Sequence, residues 1–304
     1  MSATPGADTE EFPAVDELLG KHFGPSPPPV RVTFGALSHP GLVRHNNEDH
    51  YLVVERRRSR AVLLTNLPAA ALRPADDVGY LLAVADGMGG AAFGELASAL
   101  ALSSGWDQAP GAIKWTWVVT DREVEDLKER VELVFRRIDE ALLERARQDP
   151  ACAGMGTTLT GAYTVGPEAF VGHVGDSRAY LYRAGCLAQL TRDHTMAQLA
   201  RDVGLPVVDK SWHHTLTNCL GGGGKVVRVD FHHVRLADGD RLLLCTDGLT
   251  DMVPDDEIAA VLGRPAPPQE QARALVEVAL RRGGKDNVTA VVAHYALAGP
   301  EGRP

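Results

Sequence analysis

Three apolar runs in this chain meet an aspartate flanked by glycine or asparagine, and that pattern narrows the folds open to it. They are YLLAVADGMGG (Asp86, Gly87), LLLCTDGLTD (Asp247, Gly248) and GGKDNVTAVV, where Asp286 and Asn287 precede the run. Two more acidic segments share the character: GLVRHNNED, with Arg44, Glu48 and Asp49, and FVGHVGDSRAY, with Asp176 between a glycine and a serine. A carboxylate at a strand end is held rigidly, and a glycine after it permits close backbone approach. Several acids converging in this way repel one another strongly unless divalent ions neutralise them. Taken singly, each segment has a plain structural meaning. Asp-Gly favours turns, GDSR suits a hairpin corner, and Glu48 with Asp49 reads equally as a solvated charge pair. Five such elements in one chain point instead to a hard-cation site.

The chemistry follows from the residue types. Mg²⁺ and Mn²⁺ take near-octahedral oxygen ligands and keep several waters, so a few carboxylates and a backbone carbonyl suffice. Two such ions a few ångströms apart bridge a water, lower its pKa and clamp a phosphate for in-line attack. Arg44 offers the planar fork for that phosphate.

The rest of the chain supplies a mixed pattern. Strands rich in β-branched and aromatic residues are expected at 31–37, 50–55, 61–66, 79–85, 157–165, 168–175, 178–183, 226–235, 241–246 and 287–296. Helical periodicity is clearest over 121–148, where Val124, Leu127, Val131, Val134, Phe135, Ile138 and Leu142 recur at three- and four-residue steps. Further helices are expected at 92–104, 195–203, 255–262 and 268–282. Strands clustered in sequence and set apart from pairs of helices imply a layered α+β domain. Residues 1–29, acidic and then Pro-rich, read as a flexible arm, and 300–304 as a frayed tail.

Composition removes several classes. Against 40 Asp and Glu stand 31 Lys and Arg, a formal charge of -9, so nucleic acid is not an expected partner. No apolar run approaches the ~20 residues of a membrane span, and the N-terminus lacks a signal-peptide pattern. Cys152, Cys186, Cys219 and Cys245 are scattered without metal spacing and read as reduced thiols. A cytoplasmic monomer is the resulting expectation.

Taken together, GLVRHNNED (41–49), ADGMGGAAFGELAS (85–98), GMGTTLT (154–160), GHVGDSRAYLYRAGCLAQLTRDHT (172–195), LLLCTDGL (242–249) and GGKDNVTAVV (283–292) resemble the metal-dependent protein phosphatases. The likeness is to the type 2C serine/threonine family and its bacterial branch, and it spans about residues 31–297. It implies a four-layer αββα sandwich, two central antiparallel sheets flanked by helix pairs, over a domain at 30–298. It further implies hydrolysis of phosphoserine and phosphothreonine on proteins, using Mn²⁺ or Mg²⁺, against a cognate serine/threonine kinase. By position, Asp86 resembles the carboxylate bridging two metals, and the Gly87 carbonyl looks like a ligand of one of them. Asp247 and Asp286 look like ligands of the other. Glu48 and Asp49 match acids holding metals or their waters, Arg44 the phosphate arginine, and Asp176 with Asp247 the pair for a third ion. Asn287 matches a residue supporting the metal–water network.

The chain also departs from that pattern. Met88 stands where some members carry a histidine proposed to protonate the leaving alcohol. A flap is expected at about 196–224, where the sequence diverges and carries Trp212, His213 and His214, and an insertion shaped as an enlarged hairpin at about 56–78. The basic run Arg56–Arg60 reads as a solvated turn. Rival motifs are weaker. Gly87 to Ala92 formally fits a dinucleotide loop, but ALALSSGWDQ offers no second strand before Asp107. GGGGK at 221–225 lacks the Ser or Thr of a phosphate loop. The pairs His213–His214 and His232–His233 suggest zinc, although neighbours on a strand point to opposite faces. Further alternatives are His213 or His214 as a proton shuttle, a catalytically silent scaffold on the same fold, and an anti-sigma-factor-antagonist phosphatase in a partner-switching system, which changes the substrate and leaves the chemistry intact.

Overall fold

A computed structural model describes residues 30–58, 64, 77–89, 93–112, 120–207, 209–222 and 226–297. Alternation along the strands explains its layering, because successive side chains leave a strand on opposite faces. In strand β10 (Arg241–Cys245), Leu242 and Leu244 enter one apolar cluster while Leu243 and Cys245 enter another. Strand β11 (Val288–Leu297) divides in the same way, sending Val291, Ala293 and Tyr295 to the first cluster and Val288, Ala290 and Val292 to the second. In strand β3 (Asp77–Met88), Leu82 and Val84 join the first cluster and Ala83 and Ala85 a third.

The first cluster lies between two antiparallel sheets. One runs β1-β11-β10-β7-β8, with β1 Val30–His39, β7 Arg178–Arg183 and β8 Cys186–Gln189. The other runs β2-β3-β5-β6-β9, with β2 Asp49–Arg58, β5 Leu159–Val165, β6 Glu168–Val174 and β9 Asp230–Arg235. The short β4 (Gly156–Thr157) pairs with the end of β3. Helices α1 (Phe93–Ala112) and α2 (Asp121–Gln148) cover the outer face of the six-stranded sheet through Ala97, Ala101, Phe135, Ile138 and Leu142. Four shorter helices follow: α3 (Met196–Asp202), α4 (Asp247–Thr250), α5 (Asp255–Leu262) and α6 (Pro268–Arg281). Of these, α5 and α6 cover the five-stranded sheet through Ile258, Val261, Leu275, Val276 and Ala279. Three apolar interfaces between four layers make the expected αββα sandwich.

Local signals place most elements. Helix α2 starts at a reciprocal cap: the Thr120 hydroxyl accepts from Glu123 N, and the Glu123 carboxylate accepts from Thr120 N. Its apolar stripe is the one expected from spacing.

Several boundaries differ. The strand expected at 226–235 begins only at Asp230. The Asn218 side chain takes both backbone groups of Arg228, donating to its carbonyl at 2.6 Å and accepting from its amide at 3.3 Å, so that residue is unavailable to a ladder. Helix α1 continues beyond the expected 104 to Ala112. Arg56, Arg57 and Arg58 extend β2 in register with Gly79, Val78 and Asp77, so the basic run begins in a strand and not in a turn. β2 and β3 are hairpin partners, as the enlarged-hairpin reading requires, while the strand expected at 61–66 lies outside the described residues except for Leu64. The arm at 1–29 and the tail at 300–304 also lie outside them. Among the described residues, no helix is long and apolar enough to cross a membrane.

Leu244 is fully buried between the sheets. Leu244→Ala is therefore expected to cost about 2–5 kcal/mol, through lost burial and a residual cavity. Leu133→Ala, on the exposed side of α2, is expected to change stability by less than about 1 kcal/mol. Urea unfolding of both variants checks the difference.

Candidate metal centre

The antiparallel registers carry the acids to one edge of the sandwich. Asp49 opens β2 and pairs with Asp86 near the end of β3. In the other sheet, Cys245 at the end of β10 pairs with Ala290 of β11 and Arg178 of β7. That alignment sets Asp247, just after β10, beside Asp286, just before β11, and beside Asp176 in the β6–β7 turn. All six sequence-expected acids thus share one region with Arg44.

Each is positioned by backbone and hydroxyl contacts. The Asp86 carbonyl accepts from Thr157 Oγ1 at 2.8 Å and from Thr158 N at 2.9 Å, while its amide donates to Thr158 Oγ1 at 3.0 Å. Gly87 is required by space: a Cβ there would sit 1.9 Å from the Gly94 carbonyl at the start of α1. The Glu48 carbonyl accepts from Gly87 N at 3.1 Å and from Ser98 Oγ at 2.6 Å, which ties the Arg44 loop to β3 and α1.

Asn287 fastens the same loop from the far end of the chain. Its Nδ2 donates to the carbonyls of Pro40 (2.9 Å) and Asn46 (2.7 Å), and its Oδ1 accepts from Glu48 N at 2.8 Å. With those bonds made, the side chain braces the loop that carries Glu48. Asp176 is buried, and the Gly175 amide before it donates to His194 Nδ1 at 3.1 Å.

Asp49 tests whether the residues fit a divalent centre. Its side chain is only 3% exposed. Oδ2 accepts from Thr246 Oγ1 at 2.7 Å and Thr289 Oγ1 at 2.8 Å, while Oδ1 is buried with no partner. A buried, unpaired carboxylate oxygen is costly unless a ligand or its water meets it.

The electrostatics agree. Burial, despite the two hydroxyl bonds and with Asp247 and Asp286 adding to it, pushes the Asp49 carboxyl up to about 7. Burial and then Asp251 and Asp286 raise Asp247 to about 6, against an opposing hydrogen bond with Asp86. Asp86 stands well above the carboxylate range through burial and then Asp49 and Asp247. Asp176 does so through burial and then Asp247 and Asp193. Glu48 is raised by burial, with Arg44 working against it. Arg44 donates from Nη2 to Asp286 Oδ2 at 2.6 Å, and both side chains are partly solvent-exposed. An oxygen-rich cluster under this repulsion suits Mg²⁺ or Mn²⁺.

The structure adds residues that spacing did not single out. Thr246, Thr289, Thr157, Thr158 and Ser98 are the hydroxyl braces. Asp251, one helical turn after Asp247 in DGLTD, joins the acidic group, and that i,i+4 spacing was the available signal.

The rival motifs lose their footing. Asp107 lies within α1, so no second strand follows the glycine run. Gly221 N donates to Asp139 Oδ1 at 2.7 Å, while 223–225 lie outside the described residues. His232 and His233 are adjacent on β9, and His233 Nε2 is engaged with Glu168 at 2.8 Å. His213 and His214 lie at the end of a 3-10 turn, Lys210–His213, and not on a strand.

Comparison with known proteins agrees with this architecture. A family model described as Protein phosphatase 2C matches residues 70–282. The serine/threonine protein phosphatase PstP of Mycobacterium tuberculosis is 36% identical over 275 residues, 87% of this chain and 46% of that protein. The chain thus spans about half the length of that relative. The serine/threonine phosphatase stp of Listeria monocytogenes is 32% identical over 264 residues, covering 84% of this chain and 93% of that protein. A crystal structure of the catalytic domain of PstP with two manganese ions superposes with a TM-score of 0.68 at 33% identity, covering 88% of this chain and 100% of that one. The chain belongs to the protein phosphatase 2C family.

The raised carboxyls give a pH test. A carboxyl whose pKa rises on folding contributes stability that is complete below its unfolded value near 4 and is lost as pH climbs through the folded value. For Asp49 and Asp247 that loss falls across about pH 4 to 7. Metal-free protein is expected to melt at progressively lower temperature from about pH 4 to 7, and Mn²⁺ to raise the melting point most at the alkaline end. A melting point in chelator that does not change with pH contradicts the repelling cluster.

Proposed function

We propose that the chain hydrolyses phosphoserine and phosphothreonine on proteins with the help of two divalent ions, Mn²⁺ or Mg²⁺. The observation that carries this reading is the buried, unpartnered Asp49 Oδ1 inside a group of mutually repelling carboxylates at one sheet edge. The names of the relatives, and the two manganese ions of the PstP catalytic domain, support it.

Asp86 would serve both ions, the Gly87 carbonyl one of them and Asp247 and Asp286 the other. Glu48 and Asp49 would hold the ions or their waters, and Asp176 with Asp247 would hold a third. Bound there, the ions supply an activated water and neutralise charge on the phosphoryl oxygens. The protein's own groups do the rest. Arg44, partly exposed beside Asp286, turns its guanidinium fork to two phosphate oxygens and sets the phosphorus in line. Thr246 and Thr289 hold the other oxygen of Asp49, which leaves Oδ1 available to an ion or its water.

Residues 30–298 are the catalytic domain, with a flap at about 196–224 and an insertion at about 56–78. The protein works as a cytoplasmic monomer and reverses a cognate serine/threonine kinase.

Asp86→Asn and Asp286→Asn are each expected to lower kcat for an aryl phosphate and a phosphothreonine peptide by at least about 10³-fold, with circular dichroism unchanged. Arg44→Ala is expected mainly to raise KM, because it removes phosphate binding and leaves the metal acids. Hydrolysis that persists in chelator, or wild-type turnover by either aspartate variant, contradicts the two-ion reading. Tight phosphoprotein binding without turnover at any metal favours a silent scaffold.

A further inference from the structure

The loop that carries Arg44 is exposed yet firmly held. Gly41 turns it at a φ of 82°, a value that suits glycine, and a Cβ there would lie 2.3 Å from the Asp286 carbonyl oxygen. Leu42 N donates to Gly284 O at 2.7 Å, and Asn287 Nδ2 holds the carbonyls of Pro40 and Asn46 on either side. The backbone from Pro40 to Asn46 is thus braced against the segment 284–287, and it dictates where its side chains stand.

That course leaves two adjacent aliphatic side chains in water. Leu42 is 65% exposed and Val43 62%, and neither joins the buried clusters of the sandwich. Leu42 is supported from below: its Cγ and Leu280 Cδ2, near the end of α6, each lie 3.0 Å from the place a Cβ on Gly284 would take. Exposed apolar residues scattered singly are ordinary and need no explanation. This pair is different in three respects. The two are neighbours, their backbone is braced, and they directly precede the arginine assigned to the substrate phosphate.

Distance decides what reaches them. Successive Cα atoms of the loop are about 3.8 Å apart, and an extended substrate advances about 3.3 Å per residue. A peptide whose phosphate is gripped by Arg44 therefore carries its next one or two residues past Val43 and Leu42. These side chains offer neither charge nor a hydrogen-bonding group, so they reward only apolar surface withdrawn from water. We propose that Leu42 and Val43 are specificity-determining residues: they form an apolar subsite that selects substrates with an aliphatic side chain within two positions of the phosphorylated residue. The subsite rests on the phosphatase reading for the place of the phosphate, and it names a feature of the substrate outside the phosphoryl group.

The test uses the full chain loaded with Mn²⁺ and a set of phosphothreonine peptides. The parent has serine at both positions on either side of the phosphothreonine, and each other member places a single leucine at one of them. Hydrolysis is measured for wild type and for the Leu42→Ser, Val43→Ser double variant. Matching peptides with a non-hydrolysable phosphonate read binding by fluorescence anisotropy. Wild type is expected to favour leucine at one or more of these positions by at least about 10-fold, in KM and in phosphonate Kd alike. The double variant is expected to bring that preference to within about 2-fold of none, with the loss falling on the leucine peptides. A wild type that favours leucine nowhere overturns the proposal, as does a double variant that weakens the all-serine parent equally. Both positions are exposed, so serine there is expected to leave the melting temperature unchanged. Failure to hydrolyse any peptide contradicts the phosphatase reading, while the phosphonate Kd values still decide for or against the subsite.

Discussion

Repulsion among carboxylates at one sheet edge is the constraint around which the rest of the protein is arranged. Isolated acids at those positions would protonate or turn to solvent. Strand ends leave them little freedom to do the second. Asp86 is locked by both backbone groups to the β4–β5 threonines, and Asp49 is clamped through one oxygen by hydroxyls from β11 and the β10–α4 junction. The sandwich behind them supplies the rigidity, since both sheets are buried on both faces over the residues that lead into the site. Stability and charge pull against each other at this edge: the fold forces together carboxylates whose repulsion is relieved by protons or by a bound cation.

Much of this was legible in the sequence because the signals were of the kind that survive without tertiary information. The 3.6-residue stripe and capping box of α2 are local, and so is the Asp-Gly punctuation of the strands. The acids Asp86, Asp247 and Asp286 could be named because each sits at the end of an apolar run. What escaped was set by contacts distant in the chain. Asn218 takes up the backbone of Arg228 and so delays β9, and no periodicity announces that. Asn287 spends its amide on a loop some 240 positions earlier, which its place after Asp286 does not announce. Asp251 was in plain view within DGLTD, but its meaning depended on α4 being a helix, and four residues are too few for a helix to be read from spacing.

The two sides of the centre differ in how they are held. On the Arg44 side, the loop is stapled by Asn287, Ser98 and the Gly284 carbonyl, all parts of regular elements or their immediate ends. On the Asp176 side, support comes through His194, whose Nδ1 accepts from the Gly175 amide and meets Asn218 Nδ2 at 3.0 Å. His194 and Asn218 flank residues 195–217, so Asp176 and the segment beside it share an anchor, while Asp49 and Asp86 are held by the sheets.

The place of β11 has a consequence for how such a molecule comes into being. It lies between β1 and β10, pairing with both, and it brings Asp286, Asn287 and Thr289. It is also the last described strand in chain order. On the ribosome, the five-stranded sheet therefore waits with a gap at an interior position until β11 has been made. Asp49 lacks one of its two hydroxyl clamps over that interval, and the Arg44 loop lacks its staple. The acids are all held in place only once synthesis has passed β11, so a nascent chain carries most of the fold before it carries the complete acidic cluster.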